Sequence, residues 1–359
     1  MSGIAFAILI SLAAALPTAA AAEPNEFIAS YAKEHNFSGS ILIQKAGSIT
    51  YEKSFGLANI QLNVPNARDT KYKVASITKA FTAALILQLR EQRRIDLQKP
   101  IRTYLPDYKG EAGDKVTIHQ LLNHTSGIEN FDKVKSAEEA MTRGIPAYQL
   151  PHTSDQLLSE FCSGPLTGDP GKAFSYNNAD YIILGKIIER VAGEKFDDVL
   201  KKQILQPLKL ENTGMLYHHE IVPGLANSYF MRDDLKKLGN DLPVYPENWF
   251  AAGAMYSNPR DVMTFANALF GAKLINRESL ELMLTPGLDD YGYGVWSYET
   301  KIGDRKYKAV KRPGQIMGAQ TQLYRLIEPD VTIVILSNAG TADLDQFVAD
   351  IGRRVVSAN

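Results

Sequence analysis

The two ends of the chain alternate apolar and polar residues with a period of two, and a long middle with helical periodicity lies between them. On the N-terminal side, a short helix and two strands joined by an Ala-Gly turn are predicted over residues 25–35, 39–44 and 49–57. On the C-terminal side, four strands and a closing helix are predicted over residues 293–298, 305–311, 319–327, 331–337 and 342–356. We therefore predict an α+β fold with one antiparallel β-sheet that is flanked by helices and built from both chain termini.

The middle of the chain predicts a second lobe. Residues 76–250 carry most of the helical periodicity, and we expect them to form an inserted all-helical lobe. The α/β lobe then comprises about residues 23–75 and 251–359, within a single domain over 23–359. A chain of 359 residues exceeds a usual single core, which agrees with two lobes. The cleft between them is the expected site.

The first 22 residues have the pattern of a signal peptide. An uncharged apolar run over residues 4–16 is followed by Pro17 and small residues up to Ala22. The run is too short to span a bilayer, so we predict a secreted, periplasmic protein whose mature chain has no membrane span. A retained N-terminal anchor is the alternative, because no Lys or Arg precedes or interrupts the run.

Charge and cysteine content exclude several classes of protein. The 39 basic side chains balance 40 acidic ones, and the two kinds are interspersed along the chain. The sequence therefore has no cluster of basic residues of the kind that binds a nucleic-acid partner. The single Cys162 cannot form an intramolecular disulfide, and the Cys and His residues lack the spacing of a zinc site. We expect neither a metal nor a cofactor.

A serine and a lysine three residues apart open the most apolar helix of the chain. Ser76 and Lys79 precede an almost entirely apolar segment over residues 80–89, which predicts a buried helix with both side chains on one face. A serine hydroxyl becomes a strong nucleophile only when a neighbouring group takes its proton, and a desolvated lysine can help to do so. The alternative is that Ser76 is simply the N-cap of this helix. A second Ser-x-x-Lys pair, Ser30 and Lys33, is interpreted as solvated.

A tyrosine and an asparagine precede a second apolar-periodic helix, predicted over residues 181–191. Tyr176 could act as a general base beside a lysine, and the Asn178 amide could orient that lysine and a substrate carbonyl group. Tyr256 and Asn258 repeat the pattern. Because Pro259 follows Asn258, we interpret Asn258 as a helix cap.

Four motifs in order resemble a known superfamily. They are Ser76-x-x-Lys79, Leu-Leu-Asn-His-Thr-Ser-Gly-Ile over residues 121–128, Tyr176-x-Asn178, and Arg312-Pro313-Gly314 before a strand. Together they resemble the serine β-lactamase and penicillin-binding-protein superfamily, and most closely its class C β-lactamase-like branch, which includes D,D-peptidases, D-aminopeptidases and esterases. The resemblance extends over about residues 25–355 and implies the two-lobed fold predicted above.

The resemblance also implies roles for individual residues. Ser76 would be the acylated nucleophile, Lys79 and Tyr176 the proton-handling pair, and Asn178 the residue that positions substrate and lysine. The main-chain N–H groups of Ser76 and Gln315 would form the oxyanion hole.

The last of these motifs, Arg312-Pro313-Gly314, departs from the usual pattern of the superfamily at this place, which is Lys-Thr-Gly or His-x-Gly. Arg312 keeps the positive charge and could bind a substrate carboxylate next to Gly314, whereas Pro313 removes a hydroxyl group and a backbone donor. Efficient β-lactam hydrolysis is therefore less expected. Proline suits an edge strand that lines an open cleft. The alternative for Arg312 is a surface ion pair.

His124 invites comparison with a catalytic triad, but no serine of the chain lies in a Gly-x-Ser-x-Gly elbow. We interpret it as a structural residue of a rigid loop over residues 123–127.

The predicted function is that of a secreted serine acyl hydrolase that forms a covalent acyl-enzyme on D-Ala-type peptides or amides. The partner is a small-molecule or peptide substrate, with cell-wall peptide as one candidate. Three alternatives stay open: a carboxylesterase for short acyl esters, a class C type β-lactamase, and a non-catalytic penicillin-binding protein.

Overall fold

A computed structural model describes residues 24–132, 139, 144–232 and 235–358. The predicted signal peptide lies outside the described residues, as does part of the loop between residues 130 and 153. In the part of the chain that the model describes, no helix is both long enough and apolar enough to cross a membrane.

The strands, in chain order, are β1 (Gly39–Lys45), β2 (Ser48–Phe55), β3 (Leu57–Asn59), β4 (Val64–Pro65), β5 (Tyr72–Lys73), β6 (Gly214–Met215), β7 (Tyr229–Arg232), β8 (Lys237–Asn240), β9 (Met255–Ser257), β10 (Trp296–Ile302), β11 (Arg305–Ile316), β12 (Ala319–Leu326) and β13 (Val331–Ser337).

The α-helices are α1 (Pro24–Glu34), α2 (Thr78–Glu91), α3 (Ile101–Tyr104), α4 (Ile118–Leu122), α5 (Pro146–Gln149), α6 (Ser154–Gln156), α7 (Asn178–Ala192), α8 (Phe196–Leu200), α9 (Gln206–Leu208), α10 (Phe250–Gly253), α11 (Pro259–Phe270), α12 (Arg277–Met283) and α13 (Leu344–Ser357). Single 3-10 turns and π-helical turns join some of them, at Ala75–Ile77, Glu111–Asp114, Leu157–Phe161, Lys201–Leu205, Pro246–Trp249 and Leu288–Asp290.

One six-stranded antiparallel sheet with the order β10-β11-β12-β13-β1-β2 forms the centre of the α/β lobe. Its N-terminal and C-terminal parts meet where β1 pairs with β13, with Ile41 opposite Ile335. Every residue of β13 is buried, because both faces of this central strand are covered. The predicted α+β fold, with a sheet built from both chain termini, is confirmed. The lobe boundaries at residues 75 and 251 stay a prediction.

Helices cover both faces of the sheet. On one face, Ile28 of α1 and Phe347 of α13 are buried in an apolar cluster with alternate residues of β1 and β13. On the other face, α11 packs against β13 and β1. Helix α2, whose residues are buried almost all round as the sequence predicts, lies against α11. Phe81 of α2 stacks on Phe265 of α11 with ring centroids 3.6 Å apart. The start of α2 is thereby held between the sheet and the helical part of the chain.

Two details differ from the sequence prediction. The first C-terminal strand begins at Trp296 and not at residue 293, because Gly294 adopts a left-handed conformation (φ 75°) where the chain passes close to the main chain of Lys79. The helical middle also contains a β7–β8 hairpin and the strand β6, which pairs with β9 in a small sheet with β5. This small sheet holds the segment just before Ser76, since Val74 N donates to Met255 O.

Candidate active site

Ser76 lies in the 3-10 turn Ala75–Ile77 that leads directly into α2. Ala75 has a left-handed backbone (φ 49°), an unfavourable conformation for a residue with a side chain. Neither this turn nor α2 has a side-chain cap, so the N-cap interpretation of Ser76 is wrong. Its hydroxyl group instead contacts the side chains of Lys79 and Tyr176.

The hydroxyl oxygens of Tyr176 and Ser76 lie 2.8 Å apart, and Lys79 Nζ donates to Ser76 Oγ at 3.2 Å. Lys79 also donates to Asn178 Oδ1 at 2.7 Å and to the Ala252 carbonyl oxygen at 2.9 Å. These three acceptors match the three N–H groups of an ammonium ion. The structure thus brings the Ser76-x-x-Lys79 and Tyr176-x-Asn178 motifs together, although 100 residues separate Ser76 from Tyr176.

Burial and charge shift the pKa values of this group. Desolvation lowers the pKa of the Lys79 ammonium, which is fully buried, and the nearby Arg312 charge lowers it further. Burial by itself raises the pKa of Tyr176, but the positive charges of Arg312 and Lys79 outweigh it and lower that pKa to about 8. The Tyr176 phenol is therefore the group beside Ser76 that can lose its proton near neutral pH.

Arg312 lies on β11 and is only 2% exposed. Its guanidinium donates to the hydroxyl oxygens of Tyr176 (2.9 Å) and Tyr291 (2.8 Å) and to the carbonyl oxygens of Pro313 and Gly294. The surface ion-pair alternative is wrong, because the side chain is buried among tyrosines. Most of its N–H donors already have acceptors in the protein, so few are left for a substrate carboxylate, which the sequence led us to expect as its partner.

The last part of β11 forms an open edge of the sheet. Pairing with β10 ends at Lys311, whereas pairing with β12 continues to Ile316. Pro313 lies in this open part, as expected for a residue without a backbone donor. A Cβ atom at Gly314 would lie 2.9 Å from Ser76 N and 2.5 Å from Thr321 Oγ1. Only glycine therefore allows the strand to approach the Ser76 turn this closely.

A cleft of about 450 Å³ opens at Ser76. Five of the predicted site residues line this cleft: Ser76, Tyr176, Arg312, Gly314 and Gln315. The other two do not line it: Lys79 contacts Ser76, and Asn178 contacts Lys79. The residues that line it include Ser76, Tyr176, Trp296, Arg312, Pro313, Gly314, Gln315, Gln320, Gln322, Asp343 and Asp345. Trp296 is one wall, and its ring stacks on Tyr176 at 6.0 Å between centroids.

A family model described as Beta-lactamase matches residues 25–356 of the chain. The chain belongs to the β-lactamase family. The family predicted from the four motifs is therefore confirmed, and the predicted class of enzyme, a serine hydrolase, agrees with it.

Individual members of the β-lactamase family show how far the similarity extends. The penicillin-binding protein PbpX of Bacillus subtilis (strain 168) is 31% identical over 273 residues, which are 76% of this chain and 65% of PbpX. Teichoic acid D-alanine hydrolase of Staphylococcus aureus is 24% identical over 275 residues, again 65% of that protein. The chain thus spans about two thirds of the length of these relatives. The crystal structure of a penicillin-binding protein from Bacillus halodurans superposes with a TM-score of 0.76 at 26% identity, covering 92% of this chain and 99% of that one.

Two polar residues of this β-lactamase-family site escaped the sequence analysis. The Asn178 amide donates to Asp132 Oδ2 at 2.6 Å, and the Tyr148 hydroxyl group donates to the same oxygen at 2.5 Å. Asp132 therefore orients Asn178, which in turn accepts from Lys79. Neither residue belongs to a motif, and both lie in or beside the long loop after residue 128, so no spacing could have predicted them.

The second Tyr-x-Asn pattern, at Tyr256 and Asn258, and His124 have the structural roles that were predicted for them. Asn258 caps α11, with its side chain accepting from Asp261 N, and Pro259 is the first helical residue. His124 is fully buried and bonded to Asp180, which the sequence analysis did not select.

Proposed function

We propose that the protein is a secreted serine acyl hydrolase that forms an acyl-enzyme at Ser76 with esters or amides of D-alanine. The observation that carries this proposal is the 2.8 Å contact between Ser76 and Tyr176, a half-buried tyrosine whose pKa is lowered to about 8. A nucleophile and a base in hydrogen-bond contact are the minimum that acyl transfer requires.

In the proposed acylation step, the Tyr176 phenolate accepts the proton of Ser76 while Oγ attacks the carbonyl carbon of the substrate. The negative charge that develops on the carbonyl oxygen is stabilised by the main-chain N–H groups of Ser76 and Gln315. Tyr176 then returns the proton to the leaving amine or alcohol as the tetrahedral intermediate collapses. In deacylation, water attacks the carbonyl carbon of the ester while the Tyr176 phenolate accepts its proton. The bond from the carbonyl carbon to Ser76 Oγ then breaks, and Tyr176 returns the proton to Oγ, which regenerates the serine hydroxyl group and the phenolate.

Lys79 and Arg312 act on Tyr176 in this proposal. Their positive charges stabilise the phenolate, and Lys79 Nζ and Arg312 Cζ lie 4.8 and 5.5 Å from the centroid of its ring. Asn178 and the Ala252 carbonyl group hold Lys79 in place. Mobile charges would lose part of this effect, because a stabilising group must be oriented before the reaction starts.

The substrate class rests on a relative and on the cleft. The S. aureus relative is named for hydrolysis of D-alanine from teichoic acid, which supports D-alanyl substrates here. Because Arg312 already donates to two tyrosines, a terminal carboxylate finds few free donors on it, and this speaks against rapid β-lactam hydrolysis. Carboxylesterase activity is the second candidate, since the Trp296 wall suits a short apolar acyl group.

A substrate panel tests the proposal. Purified protein is given D-alanine p-nitroanilide, p-nitrophenyl butyrate and a chromogenic cephalosporin, and a fluorophosphonate probe reports acylation of the serine. We expect turnover of the D-alanyl substrate above the other two and loss of labelling in Ser76→Ala. Ser30→Ala, in the solvated Ser-x-x-Lys pair, is the matched control and should label normally. Labelling that persists in Ser76→Ala would remove Ser76 from its role, and faster turnover of the butyrate ester would favour the esterase.

A further inference from the structure

His124 and Asp180 form a buried pair for which the proposed mechanism has no role. Both side chains are fully buried, and Nδ1 of His124 lies 2.8 Å from Oδ2 of Asp180. Burial lowers the pKa of His124 well below its usual range and raises the pKa of Asp180 well above its own. Burial therefore favours the neutral form of each group, in which the Asp180 carboxyl group donates to Nδ1 of His124. A neutral pair avoids the large cost of two buried charges.

His124 contacts the chain on both sides of Tyr176. Its carbonyl oxygen accepts from Ser175 N at 2.9 Å, and its Nδ1 accepts from Asn177 N at 3.4 Å. Its ring also packs against the Tyr176 ring, with centroids 4.5 Å apart. One residue therefore fixes the main chain before and after Tyr176 as well as the orientation of the phenol.

Asp180 links this contact to the helical lobe. It lies in the first turn of α7, whose N-cap is Asn177. His124 has a left-handed backbone (φ 57°), which turns the loop over residues 123–127 toward that helix end. An unpaired buried carboxyl or imidazole group is costly, so loss of either partner would weaken the contact between the loop and the helix.

We propose that His124 and Asp180 are a positioning pair that holds the Tyr176 hydroxyl group against Ser76. Its effect on turnover rests on the proposed function. The charged groups that face Tyr176 are Lys79 and Arg312, and the ionisable groups around His124 include Asp180 and the phenols of Tyr181 and Tyr291. When the pair is lost, Tyr176 moves relative to the two charges that favour its phenolate, and the misplaced base acts less well on Ser76.

Two substitutions of Asp180 separate positioning from general stability. Asp180→Ala removes the bond to His124, whereas Asp180→Asn keeps a side-chain donor in its place. We expect Asp180→Ala to lower kcat about 10- to 100-fold with little change in KM, and Asp180→Asn to restore most of kcat. Asp261→Ala is the matched control: Asp261 is also a buried acid in the first turn of a helix, and it accepts from Thr213 and Asn212, none of which lines the cleft at Ser76. It should lower the melting temperature and leave kcat unchanged.

A titration without substrate gives a second readout. The absorbance of phenolate near 295 nm is followed against pH, and the curve of Tyr176→Phe is subtracted so that only Tyr176 remains. We expect a midpoint near 8 in the native protein and a clearly higher midpoint in Asp180→Ala. If Asp180→Ala does not fold, His124→Gln is measured in the same way and should shift the midpoint in the same direction.

The possible outcomes are distinct. A lower kcat with an unchanged Tyr176 midpoint, or an equal loss of kcat in Asp261→Ala, would overturn the positioning role. Absence of acylation at Ser76 in the native protein would instead reject the proposed function, and the titration would still decide whether the pair positions Tyr176.

Discussion

At the scale of single residues, the charge around Tyr176 predicts how activity depends on pH. The phenol must be ionised to accept the Ser76 proton, and its pKa is lowered to about 8. Activity should therefore rise with pH, reach half its maximum near pH 8 and level off above it. A profile of kcat/KM against pH checks this, because it reports the free enzyme. A profile that already falls between pH 7 and 8 would contradict a phenolate base.

Arg312→Gln tests the source of this shift. The substitution removes the charge that lowers the pKa of Tyr176 most, so that pKa should rise and activity at pH 7 should fall about tenfold or more, since one pKa unit is a factor of ten. Arg312→Lys keeps the charge but loses the two-sided contact with Tyr176 and Tyr291, and should shift the profile less. Equal profiles for the two variants would mean that geometry, and not charge, controls the base.

At the scale of elements, the close approach of β11 to the Ser76 turn depends on Gly314. An alanine there would place Cβ within 3 Å of Ser76 N and of the Val74 carbonyl oxygen, so the strand or the turn must move. We expect Gly314→Ala to lower kcat/KM at least about 100-fold, as misplacement by about 1 Å commonly does. Gly168→Ala, at a glycine with open space around its Cβ position, is the control and should be fully active. Steady-state kinetics with D-alanine p-nitroanilide measure both variants.

At the scale of the whole molecule, α2 and α11 share a buried aromatic contact that supports the site. Phe81 and Phe265 are both fully buried and stacked. Phe265→Ala should lower the free energy of unfolding by about 3–5 kcal/mol, because it removes a large side chain from a close-packed core. Urea unfolding measures this loss, and Ile221→Ala, at a side chain that is 94% exposed, should change nothing. A loss below about 1 kcal/mol would indicate that the core refills the cavity.

Across the whole molecule, features set by neighbouring residues were predictable from the sequence, whereas contacts between distant segments were not. Strand β13 was predicted with its observed bounds, because a short apolar run rich in β-branched residues between two turns is a local signal. The Ser76–Lys79 contact was predictable for the same reason, since three residues of one helix turn define it. The burial of Arg312, the Asp132 contact with Asn178 and the His124–Asp180 pair depend on segments distant in the chain. No periodicity reports such contacts, and the four motifs located the site without them.

The pairing of β1 with β13 has a consequence for biosynthesis. Strand β1 pairs with β2 early in the chain, but its other partner is β13, with Gly39 opposite Ser337, so the ribosome must translate nearly the whole polypeptide before the two parts of the sheet can join. Until then β11, the strand beside Ser76, has no connection through β13 to the N-terminal strands of the sheet. A nascent or prematurely terminated chain that ends before residue 331 should therefore be inactive, even if its helical segments have folded.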